Sequence, residues 1–194
     1  LATKRRRMRS YGKFKPVIGT TKGFCKMTLP SDTDEREAVE ELKDYMGMIT
    51  DFSKNHVTPP KGFKYACMED FILQEGREFT PAPLPDDITK GPIKECYKNS
   101  FDLLFQKPDL VYCEGYAHGA IIPVMHAWLA TPDGKVVDTT WRKLGAAYWG
   151  IPFERDFVMK TAMTREVYGV IDNWEENYPL LREGVEGAVK ALCD

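Results

Sequence analysis

Residues 126–141 read HAWLATPDGKVVDTTW, two runs of aromatic, small and β-branched residues on either side of Pro132, Asp133 and Gly134. Pro, Asp and Gly between such runs are a strong hairpin signal: Pro presets φ for the turn and Gly accepts the left-handed conformation that closes it. A three-residue loop pairs Thr131 with Lys135, and hence Trp128 with Asp138. Diagonal neighbours across an antiparallel pair share a face about 7–8 Å apart. His126 and Asp138 are therefore expected to meet. A carboxylate on one imidazole nitrogen fixes the tautomer and stabilises the cation formed when the other nitrogen takes a proton. Such a pair calls for a nucleophile.

The remaining chain reads as an α+β fold. Ala38, Val39, Leu42, Tyr45, Met46 and Ile49 recur at three- and four-residue steps behind the start signal of Ser31 and Asp34, which predicts an amphipathic helix over residues 34–50. Prolines then become dense, interrupted by YACMEDFILQEG, which suits helix or strand. Pro92 fits the first position of a second helix over 92–106, stopped by KPD at 107–109. DLVYCEGYA, IPVMHAWLAT and KVVDTTW have strand character and predict an antiparallel meander. In the tail, REVYGVIDNWEENY and YPLLREGVEGAVKAL predict one or two closing helices, the second burying Leu180, Leu181, Val185, Val189 and Leu192.

Composition narrows the class. With 194 residues, 43% of them hydrophobic and 12% aromatic, the chain can bury a substantial core. The expected division is a basic arm over residues 1–30 and one domain over 31–194. No run approaches the roughly 20 apolar residues that cross a bilayer, and no apolar core of a secretion signal follows the first charges. The expected location is cytoplasmic, with no membrane partner. Five scattered cysteines without a CxxC pair argue against a disulfide framework and a zinc knuckle. No metal or cofactor is expected. Arg5, Arg6, Arg7 and Arg9 in the arm can displace counterions from nucleic acid, although no aromatic residues interleave them.

Two thiols precede His126 closely enough to serve as the nucleophile. Cys113 lies in a segment of strand character, where burial raises a thiol pKa and leaves it inert; a two-residue loop at His118 and Gly119 would pair it with Val124, on the face of His126. Cys96 lies in the opening turns of the 92–106 helix, where unpaired backbone N–H groups and the helix dipole favour a thiolate. Asn99, Glu114, Tyr116, Trp128 and Trp141 are further candidates for lining the site, against solvated strand positions for Glu114 and Tyr116 and core packing for the tryptophans. Tyr148 and Trp149 can likewise wall a groove or fill a core.

A cysteine at a helix start, a strand, His in HAW and Asp in VVDTTW occur in an order that resembles the transglutaminase-like branch of the papain-like cysteine enzymes. The resemblance covers about residues 92–141 and is carried chiefly by HAW followed by GKVVDTTW. It implies a nucleophile helix packed on a small antiparallel sheet. It further implies a Cys, His, Asp triad that transfers acyl groups from a protein, peptide or small amide, as a protease or amidase or as a transferase. Many members have a CEGYA string led by the catalytic cysteine and followed by a helix. Here CEGYA begins at Cys113, but no full helix fits before His126, whereas Cys96 restores the element order. Bacterial and phage proteins with a CYKNS-like helix and HAW are similar. The alternative function is a catalytically silent protein of this fold that binds or inhibits a partner, with the basic arm in its interface.

Overall fold

A computed structural model describes residues 32–119 and 121–192. The basic arm with Arg5, Arg6, Arg7 and Arg9, and the helix-start residue Ser31, lie outside the described residues. Among the described residues, five helices and five strands follow in the order α1 (Asp32–His56), α2 (Met68–Glu75), β1 (Arg77–Phe79), α3 (Cys96–Gln106), β2 (Val111–His118), β3 (Pro123–Ala130), β4 (Val136–Val137), β5 (Ala147–Phe153), α4 (Arg155–Arg165) and α5 (Pro179–Glu183). The strands form one antiparallel sheet in the order β1-β5-β2-β3-β4. The fold is α+β. No helix among the described residues is long and apolar enough to cross a membrane.

The sheet separates two cores because its side chains alternate between faces. On one face Tyr112, Tyr116, Ala127, Leu129, Ile151 and Phe153 meet Leu42 and Met46 of α1, Phe71 and Ile72 of α2, and Leu104 of α3. On the other, Cys113, Ala117, Trp128, Ala130, Val136 and Tyr148 pack with Phe79. His126, two residues before Trp128, points to this second, more aromatic face.

The meander β2-β3-β4 forms as the hairpin signals require, but β2 also pairs with β5, which the sequence pattern did not reveal. Gly150 and Pro152 sit inside β5 and interrupt the apolar alternation that marks a strand. Gly150 is needed there, since a Cβ would lie 2.6 Å from the Trp128 ring and 2.5 Å from the Glu114 carbonyl oxygen. Two helix expectations also change. The first helix runs beyond 34–50 to His56, and the second begins at Cys96 instead of Pro92, after Lys94 adopts φ +67°. In the tail, α4 lies earlier than expected, and residues 167–178 are bends, irregular backbone and one turn at 174–177. Gly184, at φ +89°, ends the final helix after five residues.

Candidate active site

The hairpin β3-β4 has the expected register: Leu129 opposes Val137, Ala130 opposes Val136, and the Thr131 N–H donates to the Lys135 carbonyl at 2.9 Å. His126 and Asp138 accordingly meet, with Nε2 2.9 Å from Asp138 Oδ2, both side chains being almost wholly buried. Asp138 is further held by the Tyr148 hydroxyl, donating to Oδ2 at 3.0 Å, and by the N–H groups of Thr140 and Trp141, donating to Oδ1 at 2.8 and 3.2 Å. Burial alone would raise the Asp138 pKa, but the imidazole and these backbone donors lower it below the usual range. The carboxylate stays ionised.

With Nε2 committed to Asp138, Nδ1 is the imidazole nitrogen left for the thiol. Cys96 reaches it from outside the sheet. Peptide N–H groups alternate along a strand, so those of Ala127, Leu129 and Thr131 all point away from β2. Thr131 and Leu129 face β4, which stops at Val137; Ala127 lies beyond that pairing and donates to the Cys96 sulfur instead. The first turn of α3 thus docks on an edge of β3 that β4 leaves open. Burial works against the Cys96 thiolate, but the hydrogen bond and charge of His126, with the N–H groups of Ala127 and Tyr97, bring its pKa below the ordinary thiol value. Conversely, burial works against imidazolium, but Asp138 and Cys96 raise the His126 pKa to about 9. The two shifts describe one thiolate–imidazolium pair.

Aromatic rings enclose that pair. Trp141 stacks on the His126 ring at 4.4 Å between centroids and 23° between planes, with Trp128 parallel on the second core side at 6.2 Å. A ring face beside a desolvated cation contributes about 1–2 kcal/mol to holding it protonated. Trp141 also lines an open cleft of about 840 Å³, in whose wall lie half-buried Cys96 and the buried His126. Lys94, immediately before the helix, lines it too. Its left-handed backbone costs a non-glycine residue roughly 1–2 kcal/mol.

The other candidates fall elsewhere. Cys113 opposes Trp128 rather than Val124, because β2 runs to His118 and β3 starts at Pro123, which rules out a two-residue connection at His118 and Gly119. The pairing moves by four positions, an even number, so Cys113 stays on the His126 face, but it is fully buried with its thiol pKa well above normal and its Sγ donating to Val111 O at 3.6 Å. Glu114 and Tyr116 point to the opposite face and are buried, not solvated. Glu114 accepts from the Tyr112 hydroxyl at 2.7 Å and from the Val170 and Ile171 N–H groups at 2.7 and 3.0 Å; the Tyr116 hydroxyl donates to Glu69 at 2.6 Å. Asn99 is a tie. Its amide donates to Pro92 O and Thr140 Oγ1, each at 2.8 Å, joining the start of α3 to the segment after Asp138. Gly91 makes room for it, since a Cβ there would lie 2.3 Å from Asn99 Oδ1. Trp128 belongs to the core. Tyr148 contacts the acid itself, a role no local pattern signals because β5 was not legible as a strand.

Among the described residues, no three His, Cys, Asp or Glu side chains gather to hold a metal ion. No family model, curated protein or solved structure matches the chain.

Proposed function

We propose that the protein is a cysteine-dependent acyl-transfer enzyme acting on amide or peptide bonds, with Cys96 as nucleophile, His126 as acid and base, and Asp138 orienting His126. The papain-like fold relationship, in its transglutaminase-like form, is part of the same proposal. The single observation that carries it is the chain of contacts from Cys96 through the imidazole to a four-donor carboxylate, beside an 840 Å³ cleft that Cys96 and His126 line.

The chemistry follows from that arrangement. The Cys96 thiolate attacks the substrate carbonyl, forming an S–C bond and an oxyanion. Its own backbone N–H, at the first helical position where no intrahelical acceptor exists, can donate to that oxyanion. Imidazolium donates its Nδ1 proton to the departing amine as the C–N bond breaks, leaving a thioester and a neutral imidazole. That base then takes a proton from water, in hydrolysis, or from an amine, in transfer. Attack of this second nucleophile releases the thiolate. Asp138 keeps Nε2–H pointed at itself throughout.

Alkylation by iodoacetamide, read peptide by peptide in a mass spectrometer, tests the reading. Cys96 should react with an apparent pKa below the unperturbed thiol value of about 8.5, and His126→Ala should slow it. Buried Cys113 should stay unlabelled in the folded protein. Reactivity at Cys96 no higher than at half-buried Cys67, or indifferent to His126, would leave the triad without support.

A further inference from the structure

The cleft beside Cys96 is divided by chemistry. Ile93, Ile121 and Ile122 form one part, and they are 59%, 86% and 57% exposed, which is unusual for three isoleucines grouped at one opening. Lys94, Arg142 and Lys143 line another part of it. All three cations are exposed, and none joins an ion pair among the described residues. Among the described residues, no Asp or Glu lines the cleft.

That charge pattern runs against the rest of the body. Nine of the 27 basic residues fall in the first 31, which leaves 18 against all 29 acidic residues over residues 32–194. On such a surface a group of three cations with no carboxylate among them is the local exception. Low-dielectric walls strengthen its field. The cationic loop is also held in place: the Lys90 amine donates to the carbonyl oxygens of both Trp141 and Arg142. Lys94 adopts its left-handed backbone at the entrance to the nucleophile helix, where glycine or asparagine would be unstrained.

We infer that the acyl donor accepted by Cys96 is an acidic peptide segment, one that places an apolar side chain on the isoleucines and a carboxylate among Lys94, Arg142 and Lys143. The inference rests on the acyl-transfer reading and specifies its substrate. Attack then proceeds as above, with the S–C bond forming and the C–N bond breaking while the substrate carboxylate stays ionised and takes no part in the proton transfers. A basic peptide is repelled by the same cations.

Irreversible labelling of the full chain by matched peptidyl vinyl sulfones tests this. The probes share an acetyl-leucyl residue and carry Glu, Gln or Lys next to the electrophile. The Glu probe should alkylate Cys96 about tenfold faster than the Gln probe, corresponding to one charge interaction of about 1.4 kcal/mol, and the Lys probe should be slowest. High salt should shrink the preference, since the cations are exposed. Arg142→Gln with Lys143→Gln should bring the Glu to Gln ratio towards one, and glycine in place of the leucyl residue should slow all three probes. Equal rates for Glu and Gln, faster labelling by Lys, or no labelling by any probe would overturn the inference. Iodoacetamide separates the two proposals. A fast, His126-dependent reaction without a charge preference removes the substrate assignment and keeps the triad. A preference for the Glu probe at a thiol of ordinary iodoacetamide reactivity removes the triad and leaves an anion-selective cleft.

Discussion

Asp138 receives four hydrogen bonds, from the His126 ring, the Tyr148 hydroxyl and two backbone N–H groups. Only the first can serve proton transfer; the others hold the carboxylate oriented and charged. Asp138→Asn keeps the volume but presents an amide whose N–H₂ can force the wrong imidazole tautomer, so acyl transfer should fall by about 10²–10⁴-fold with little loss of fold. Tyr148→Phe should act differently. Losing one donor makes the Asp138 carboxylate a stronger partner for imidazolium, so the alkaline limb of the pH–rate profile should move upward while the rate falls only a few-fold. The parent profile should be a bell. Its acid limb is the Cys96 ionisation, below the ordinary thiol value, and its alkaline limb is loss of the His126 proton near pH 9. A profile rising steadily beyond that pH would mean that imidazolium is not needed.

The elements carry a second buried carboxylate with a different task. Glu114, in β2, faces away from the site and fastens residues 170 and 171 to the sheet through their N–H groups. Burial pushes its pKa up to about 7, although the Ile171 and Val170 N–H groups and the Tyr112 hydroxyl favour the ionised form. A folded-state pKa raised above the unfolded value makes this contribution to stability greatest below the unfolded pKa, and it is lost as pH rises through the folded one. The parent protein should therefore lose stability relative to Glu114→Gln as pH rises from about 4.5 to about 7, by an amount on the order of 3 kcal/mol at most. Denaturant titrations of both proteins across that range check it, and parallel curves would contradict it. At the same scale, β3 and β4 were legible because Pro132, Asp133 and Gly134 dictate a local loop, and the loop dictates which residues face each other. β5 was not, since a strand interrupted by Gly150 and Pro152 is stabilised by the partners on either side of it rather than by its own pattern.

At the scale of the whole molecule, one sheet serves both cores. Its central strands supply Tyr112 and Ile151 to one face and Cys113 and Tyr148 to the other, so neither core can be lost alone. Heating should therefore give coincident transitions in near-ultraviolet dichroism, which reports the Trp128–Tyr148 cluster, and in far-ultraviolet dichroism, which reports the helices. Separated midpoints would show that the aromatic face melts independently. The sequence by itself determined the meeting of His126 with Asp138 and a helix carrying Cys96 in its opening turns, because turn geometry, pleat alternation and helical periodicity act over a few neighbouring residues. Only the tertiary structure decided that the start of α3 docks on the free N–H of Ala127, that Tyr148 and Trp141 enclose the acid and the ring, and that three cations and three isoleucines share one cleft. Those contacts join segments up to about fifty residues apart, and their positions follow from how the two faces of the sheet fill, which no local spacing encodes.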